Sequence, residues 1–456
     1  MYDFIIIGGG LAGLYTAYRL LKSKPGCSLI VLEKQKVLGG RVHTFREGNV
    51  FVEAGAGRIS SGHKRVLGLL AELGLDDQLY PMSNTSVFID IHRRDGSLSS
   101  SLSNSLESNS SKKNSWKELI NRILDSVPKD KDFIEVLRKM TILEYASTFD
   151  VLNHDEIQML KDSFGYYSEL VIMNAYDCIQ TFKVLSKKGG FYGLSGGLSQ
   201  IIKELETRVL QMGGKIVNRS PVVSIDWNRD NQNVFCVTTK KDSQKKDSQK
   251  KDSKVREYHG LYCITALPHP ALGSISFSGI ADDMIDGFRD MLSTVQCAPL
   301  CRIYCQFDKE LSTETTVPRV WFAGMPKMTI NNGLRYMIPI DEDAGVIMIS
   351  YTDNIYAEFW EKLQKKSGLP GVHRELKRLV KESLGITIPT PLETKIFYWK
   401  CGVGYWGKNA NSREISRKMI QPFSIPFYVC GENYAEKGQQ WMEGSLETAD
   451  IVLTRF

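Results

Sequence analysis

Long hydrophobic runs are missing from this sequence of 456 residues. No stretch approaches the roughly 18 consecutive apolar residues that a membrane-spanning helix requires. A strand-like run starts at position 2, which leaves no room for the charged and apolar regions of a secretory leader. We therefore expect a cytoplasmic protein with neither a membrane span nor a signal peptide.

Histidine and cysteine are few, and neither shows the spacing of a metal site or a disulfide framework. The chain has 7 histidines and 9 cysteines, an odd number. Cys297, Cys301 and Cys305 recur at every fourth position of a predicted strand, which places them on one face. We interpret them as three small buried hydrophobic residues, and the alternative is a metal or redox trio. The pattern favours a reducing compartment.

A large excess of one charge is also missing. The chain has 58 Lys+Arg against 52 Asp+Glu, a net charge of +6. The basic residues are scattered and do not alternate with aromatic residues, so we expect no nucleic-acid binding. Hydrophobic residues make up 42% and charged residues 24% of the chain, which is typical of a globular enzyme. The length suits two or three domains, or one interleaved pair.

What the sequence does contain is a glycine-rich turn between a strand and a helix. Residues 2–7 are typical of a strand, 14–22 of a helix and 28–32 of a second strand. Gly-x-Gly-x-x-Gly over 8–13 joins the first two, and Glu33 ends the second strand about 20 residues past the last glycine. This order predicts a dinucleotide site in which Glu33 accepts bonds from the ribose hydroxyls. The alternative is a glycine turn that binds no nucleotide.

Each glycine of this turn has a physical role in holding a dinucleotide. Gly8 permits the tight turn, Gly10 lets the backbone approach a pyrophosphate, and Gly13 lets the helix and strand pack closely. The helix N-terminus, at Leu11 and Ala12, offers free N–H groups and a positive dipole to the phosphates.

A second glycine pair and a distinctive C-terminal segment accompany this turn. Glu33-Lys34 is followed by Gly39-Gly40-Arg41, and the last segment contains Val429-Cys430-Gly431-Glu432 and then Trp441-Met442-Glu443-Gly444. These residues resemble the FAD-dependent amine oxidase superfamily, of the flavin monoamine oxidase and L-amino acid oxidase type. The resemblance spans residues 2–451, and its two ends are the specific part.

The resemblance implies an α/β fold of two interleaved domains. One is a Rossmann-like FAD-binding domain, and the other is a substrate-binding domain with a mixed β-sheet and helices. Two low-complexity segments are predicted to be mobile insertions, the second at the tip of a hairpin between paired strands. The expected boundaries are 1–80, 188–280 and 400–456 for the FAD-binding domain, 81–187 and 281–399 for the substrate-binding domain, and 97–115 and 240–254 for the insertions.

Hydrophobic periodicity adds the secondary structure of the expected substrate domain. Helices are predicted at 116–127, 132–140, 142–148, 155–164, 355–364 and 371–384, and strands at 297–307, 319–323, 334–339 and 345–351.

The resemblance also implies which residues hold FAD. Monoamine oxidases attach their flavin to a cysteine directly before a tyrosine of the substrate cage, and Gly404 occupies that position here. We therefore expect non-covalent FAD. Val223 matches a family position whose backbone amide bonds the adenine. The implied cofactor-binding set is Gly8, Gly10, Leu11, Ala12, Gly13, Glu33, Lys34, Gly40, Arg41, Gly57, Arg58, Val223, Gly431, Glu432, Trp441 and Met442.

Arg58 is the residue that indicates the substrate class. It stands where L-amino acid oxidases and tryptophan monooxygenases carry an arginine that binds the substrate carboxylate. A guanidinium suits a carboxylate because it donates two parallel hydrogen bonds from one rigid plane. The alternatives are that Arg58 supports the flavin, or that it pairs with a protein group.

Three aromatic residues and a second arginine complete the implied catalytic set. The family places the substrate amine between two rings, for which Trp441 and either Tyr405 or Trp406 are the candidates here. Arg302 takes the place of a family lysine that promotes the reaction of the flavin with oxygen. Arginine keeps its positive charge at all accessible pH values but cannot serve as a base.

These features predict an FAD-dependent oxidase of an L-amino acid or a primary or secondary amine. The expected reaction oxidises the C–N bond to an imine by hydride transfer to flavin N5, with oxygen reduced to hydrogen peroxide. The expected partners are the small-molecule substrate and molecular oxygen, with a homodimer as a further expectation. The alternatives are a desaturase or dehydrogenase that uses another acceptor, and a catalytically weak flavoprotein with a binding or structural role.

Overall fold

A computed structural model of the chain describes residues 1–83, 86–92, 115–185, 189–227, 233–240, 255–310 and 318–456. The predicted insertion at 97–115 lies outside these ranges except for Ser115, and the one at 240–254 except for Lys240. Ser115 accepts a hydrogen bond from Glu118 N and caps a helix, so this residue belongs to the folded part of the chain.

The described strands fall into two large and two small sheets. In chain order they are β1 Tyr2–Ile7, β2 Leu29–Leu32, β3 Thr44–Glu47, β4 Val50–Glu53, β5 Ile59–Ser60, β6 Leu79–Met82, β7 Ser86–Ile89, β8 Phe191–Leu194, β9 Lys215–Val217, β10 Val222–Trp227, β11 Phe235–Lys240, β12 Val255–Thr265, β13 Ser276–Ser278, β14 Val295–Gln306, β15 Lys327–Ile330, β16 Tyr336–Asp341, β17 Val346–Asp353, β18 Glu393–Trp406 and β19 Phe427–Val429.

The described helices lie between and around these strands. They are α1 Leu11–Ser23, α2 Lys64–Leu73, α3 Trp116–Ser126, α4 Phe133–Arg138, α5 Ile142–Thr148, α6 His154–Ser163, α7 Tyr167–Val171, α8 Ala175–Leu185, α9 Ser199–Gln211, α10 His269–Gly273, α11 Asp282–Ser293, α12 Asn354–Leu384, α13 Ser412–Ile420 and α14 Met442–Leu453, with short 3-10 helices at Asp76–Gln78 and Glu432–Tyr434.

The first large sheet carries the glycine turn. Its strand order is β13-β10-β11-β12-β1-β2-β9, with β19 also paired to β12. The central strand β1 lies parallel to β2 and β12, and its last four residues are buried because helices cover both faces. Helices α1 and α14 pack together on one face, which brings the two ends of the chain side by side.

The second large sheet is mixed, with the order β18-β14-β17-β16-β15-β7. The long helix α12 packs on one face of this sheet, and a separate helical cluster formed by α3 to α8 packs near the end of β18. The structure therefore confirms an α/β fold with a parallel-centred sheet and a second, mixed sheet with helices. The exact boundaries between the two predicted domains stay a prediction.

The predicted helices are confirmed, and their caps explain their starting points. Thr141 and Glu144 form a capping box before α5, and Asn153 and Glu156 form one before α6. The two helices predicted at 355–364 and 371–384 lie within α12, where Gly368 breaks the helical backbone with a φ of +59°.

The hairpin predicted around the second insertion is also present. Strands β11 and β12 pair antiparallel up to Lys240, which lies opposite Val255. The alternation of side chains on either side of the insertion therefore identified two partner strands correctly.

The predicted strand at 319–323 is wrong. Arg319 forms a single bridge with Glu310, and the chain then turns through Trp321 to Gly324. The apolar run there packs as a turn, with Phe322 buried against the second sheet. A short apolar run does not distinguish a strand from a buried turn.

The prediction that Cys297, Cys301 and Cys305 share a buried face is also wrong in part. Cys301 and Cys305 are buried as expected, but Cys297 is partly exposed and forms a disulfide with Cys401 of β18. The register of β14 with β18 shifts between Ala298 and Leu300, where β18 carries two more residues than β14, and this bulge separates Cys297 from Cys301. Strict alternation of side chains between the two faces of a strand therefore does not predict exposure across such a register shift.

A search of the described residues for a helix long and apolar enough to cross a membrane finds none.

Candidate active site

The glycine turn between β1 and α1 has the shape of a dinucleotide cradle. A Cβ on Gly8, whose φ is +108°, would lie 2.6 Å from the carbonyl oxygen of Ala266, and a Cβ on Gly13 would overlap the Gly8 carbonyl. A Cβ on Gly10 would meet only the Gly39 carbonyl oxygen, at 3.9 Å. The turn is therefore tight against the protein at two glycines and open at the third, in front of the helix N-terminus that binds phosphate.

Glu33 is held at the end of β2 by two backbone amides. Its Oε2 accepts a hydrogen bond from Gly9 N at 2.8 Å, and its Oε1 accepts one from Gln35 N at 2.7 Å. A carboxylate has about four acceptor positions, so it can accept ribose hydroxyls as well. Lys34, the next residue, is exposed.

The Gly-Gly-Arg segment closes the cradle from the other side. Gly39 forms a bridge with Gly10, and both Gly39 and Gly40 adopt positive φ angles. This turn places Arg41 in an ion pair with Glu432 of the C-terminal flavin segment, and Arg41 Nη1 also donates to the carbonyl of Gly402 at 3.4 Å. The Arg41–Glu432 ion pair thus joins the Gly-Gly-Arg segment to the C-terminal flavin segment.

The C-terminal segment brings a buried polar side chain without a partner. Gln440 has a φ of +75°, which is unusual for a residue with a side chain, and its backbone N–H donates to Glu432 Oε2 at 2.8 Å. Its side-chain Nε2 is buried with no hydrogen-bond partner among the described residues. A buried amide without a partner is costly, so a polar group of a bound cofactor fits here. Met442 starts α14 directly beyond it.

Two further predicted cofactor positions, Val223 and Gly431, lie where the backbone departs from regular strand geometry. Val223 lies in a bulge of β10, where the register with β11 shifts, so its backbone is available to a ligand. Gly431, with a φ of +133°, donates its N–H to Thr448 at 2.8 Å and turns the chain after β19. A Cβ on Gly404 would overlap the side chain of Asn433, so the fold leaves no room for a cysteine there.

Arg58 lies among aromatic rings. Its guanidinium carbon is 4.4 Å from the ring centre of Phe191 and 5.4 Å from that of Trp441, and these two rings are stacked with 12° between their planes. Its Nη2 donates to the phenol oxygen of Tyr166 at 3.1 Å. Across the described part of the chain, no carboxylate lies within ion-pair distance of Arg58.

His63 packs against Trp441 with ring centres 4.9 Å apart, and its Nδ1 accepts the N–H of Ser60. Burial, aided by the nearby Arg58 charge, lowers the pKa of His63 to about 4. His63 is therefore neutral at pH 7 and adds no second positive charge beside Arg58.

Arg302 lies close by, under the loop that carries Gly57 and Arg58. Its Nη1 donates to the carbonyl of Glu53 at 2.7 Å, and its guanidinium carbon is 4.5 Å from the ring centre of Tyr351. Tyr351 also lies 5.8 Å from Tyr166, the hydrogen-bond partner of Arg58. The structure therefore brings the two predicted arginines to one cluster of tyrosines.

Two ionisable residues at this cluster were missed in the sequence. Lys327 Nζ is 4.8 Å from the ring centre of Tyr336, and burial, with the repulsion of Arg58, lowers the pKa of Lys327 to about 8. Glu169 is buried, which raises its pKa to about 8, with Asp353 adding to the shift. Neither belongs to a motif, and each reaches the site from a different element, so no local signal identifies them.

Tyr405 and Trp406 of β18, the two candidates for the second substrate ring, pack in different clusters. Tyr405 is buried with the helical cluster, and burial raises its pKa far above the ordinary value, with smaller contributions from Glu169 and Tyr166. Trp406 packs instead against Val295, and its Nε1 donates to the carbonyl of Ala435. Tyr405 is therefore the one that lies on the side of the tyrosine cluster.

The described residues contain two groups whose side chains approach metal-ligand distance. One is His269 with Cys297 and Cys401, in which the two sulfurs are bonded to each other. The other joins Cys236, Glu257 and His259 across paired strands, where Cys236 and Glu257 already have other interactions. Neither lies at the predicted substrate site.

Comparisons with known proteins agree with this geometry. Residues 11–452 match the family model described as flavin containing amine oxidoreductase. An L-amino-acid oxidase of Mus musculus is 25% identical over 254 residues, 52% of this chain and 38% of the relative. The flavin-containing amine oxidase B of Cavia porcellus is 39% identical over 75 residues, 16% of this chain and 14% of the relative. The chain thus matches well under half the length of either relative.

A solved structure shares the fold over the full length. It is a putrescine oxidase redesigned in its cofactor binding, with a TM-score of 0.70 at 14% identity, covering 100% of this chain and 99% of the other. At this level of identity the likeness concerns the fold and not the substrate.

Proposed function

This chain belongs to the flavin containing amine oxidoreductase family, and from that premise we propose that it oxidises the C–N bond of an L-amino acid to an imine, with oxygen reduced to hydrogen peroxide. The family membership supports an oxidoreductase that acts on amines. The choice of an amino acid over a simple amine is the part that rests on the site.

The cofactor is FAD, held without a covalent bond. The open cradle at Gly10, the orphaned amide of Gln440 and the lack of room for a cysteine at Gly404 all fit this cofactor. When bound, FAD accepts the hydride at N5 and passes the electrons on to oxygen. Arg41 and the N-terminus of α1 would hold its diphosphate, and Glu33 its ribose.

The observation that carries the proposal is the unpaired charge of Arg58. The hydrogen-bond partner of this partly buried guanidinium is a neutral phenol. The nearby Glu169 has a pKa raised to about 8 by burial, so it is mostly protonated at pH 7 and does not supply the counter-charge that buried cations normally have. A substrate carboxylate supplies that charge with two parallel hydrogen bonds. Lys327 adds a second positive group beside the tyrosine cluster, which strengthens the local preference for an anion.

The aromatic residues would position the other end of the substrate. The ring of Trp441 flanks Arg58, so a molecule bound through its carboxylate places its amine within a few atoms of this ring. Tyr405 would supply the second ring. Electron-rich faces attract the positive charge that develops on the nitrogen as hydride leaves the adjacent carbon.

A second candidate function is a dehydrogenase that passes electrons to an acceptor other than oxygen. Arg302 favours it, because its guanidinium is anchored to the carbonyl of Glu53 and stacked on Tyr351, and it cannot act as a base. Comparing flavin reoxidation by oxygen with reoxidation by an artificial dye separates the two candidates.

Substitution of Arg58 tests the proposed role of this residue. In Arg58→Ala, anaerobic flavin reduction by L-amino acids should fall by about a hundredfold, on the order of 3 kcal/mol, while FAD stays bound. Arg289→Ala is the matched control, because Arg289 is exposed on α11 and forms a surface ion pair with Asp286. Loss of FAD from Arg58→Ala, with unchanged amino-acid reduction per bound flavin, would contradict the proposal.

A further inference from the structure

Two cysteines from distant parts of the chain meet beside the flavin cradle. Cys297 of β14 and Cys401 of β18 are joined across neighbouring strands, with their Cα atoms 5.0 Å apart. This separation lies within the range that a disulfide spans without backbone movement. Both cysteines are partly exposed, whereas six of the other seven are buried.

The pair has a base next to it. His269 Nδ1 lies 3.7 Å from Cys297 Sγ, close enough to take the thiol proton. Burial lowers the pKa of His269 to about 4, so the imidazole is neutral at pH 7 and accepts the thiol proton only transiently, while the sulfur reacts. Burial instead raises the pKa values of Cys301 and Cys305, farther along β14, to about 12, which keeps those thiols protonated and unreactive.

The same cysteines adjoin the residues that would hold the FAD diphosphate. Gly402, directly after Cys401, accepts the hydrogen bond from Arg41. On the other side, His269 donates its backbone N–H to Asn433, and Asn433 donates to Glu432, the ion-pair partner of Arg41. Formation or loss of the bond between Cys297 and Cys401 is therefore linked to Arg41 by two sets of contacts. One passes through the Gly402 carbonyl, and the other through His269, Asn433 and Glu432.

We propose that Cys297 and Cys401 form a reversible thiol–disulfide pair that is oxidised by peroxide and, in the disulfide state, slows the release of FAD. The sulfur of Cys297 attacks one peroxide oxygen as its proton passes to His269, and the O–O bond breaks. His269 returns that proton to the departing hydroxide, giving a sulfenic acid and a first water. The thiol of Cys401 then attacks that sulfur, forming the S–S bond and releasing a second water. Two thiols and one hydrogen peroxide thus give one disulfide and two waters.

This inference takes its oxidant from the proposed function, whose product is hydrogen peroxide. Oxidation would hold β18 against β14 beside Gly402 and so fix the carbonyl that Arg41 uses. An enzyme that makes peroxide would then retain its cofactor more tightly as it turns over.

The test uses FAD-loaded protein that has been reduced with dithiothreitol and freed of the reductant. One equivalent of hydrogen peroxide should remove two thiols per chain and join the peptides that contain Cys297 and Cys401. FAD release, followed by flavin fluorescence, should be about tenfold slower after oxidation, the rate change that about 1.4 kcal/mol gives. Dithiothreitol should restore the faster release.

Three variants make the result specific. Cys401→Ser should release FAD at the same rate with or without peroxide, and His269→Gln should form the disulfide at least about tenfold more slowly. Cys27→Ser is the matched control, because Cys27 is also partly exposed but lies in no pair, and it should behave like the parent.

Equal FAD release in the two redox states of the parent protein would overturn the proposal. So would a reduced protein that retains a stoichiometric amount of added zinc and resists peroxide, since the cluster would then be a metal centre. The peroxide is added and no substrate turns over, so failure of the amino-acid proposal does not affect this outcome.

Discussion

The cradle at Gly8 to Gly13 and the pocket around Arg58 are built in different ways. The cradle is made of backbone, in which a Cβ on Gly8 or Gly13 would strike a carbonyl and Gly10 leaves open space for a cofactor. The pocket is made of side chains, contributed by β8, β15 and β17 and by residues that directly precede β5, α2, α7 and α14. The first can be identified from one stretch of sequence, and the second exists only after folding.

Substitution within the cradle should have the largest effect. In Gly13→Ala the new Cβ would overlap the Gly8 carbonyl, so we expect FAD binding to be lost and the free energy of unfolding to fall by about 3 kcal/mol. Gly68→Ala is the matched control, because a Cβ there meets no atom within 4 Å and the residue lies inside α2. The control should gain up to about 1 kcal/mol. For each variant, urea unfolding measures the free energy of unfolding and the flavin content of the purified protein measures FAD binding. Equal results for Gly13→Ala and Gly68→Ala would contradict the role given to Gly13.

Glu33→Ala should weaken FAD retention without unfolding the chain. The variant loses the bonds from two ribose hydroxyls, roughly 1.5–3 kcal/mol each. It also frees the amides of Gly9 and Gln35, which solvent can bond. Lys36→Ala is the neighbouring control, since Lys36 is exposed and lies outside the implied cofactor-binding set. Equilibrium dialysis of FAD measures the change, and a variant that holds FAD as tightly as the parent would show that Glu33 has another role.

A substitution in the pocket should act on one step of the reaction only. Arg302→Lys should leave anaerobic reduction of the flavin nearly unchanged and leave reoxidation by oxygen equal or faster, within about tenfold. We expect this because the sequence resemblance aligns Arg302 with a family lysine that promotes oxygen chemistry. Stopped-flow measurement of the two half-reactions separates these rates. A sharp drop in reoxidation would instead identify the arginine as a working replacement.

The sequence predicted the secondary structure correctly wherever neighbouring residues determine it. The βαβ unit, the capped helices α5 and α6, and the strands on either side of the second insertion are each specified by neighbouring residues. The prediction failed at 319–323, where the apolar run packs as a turn, and at Cys297, where the pairing of β14 with β18 shifts register and the side chain forms a disulfide. Glu169 and Lys327 could not be found because only tertiary packing brings them to Arg58.

The most direct test of the substrate class compares L-amino acids with the amines formed by removing their carboxylates. Each is titrated into the wild-type protein without oxygen, and flavin bleaching is followed by absorbance, so the identity of the electron acceptor does not matter. If Arg58 binds a carboxylate, the amino acids should reduce the flavin at least about a hundredfold more efficiently, on the order of 3 kcal/mol. Flavin reduction by the amines alone would contradict the proposal.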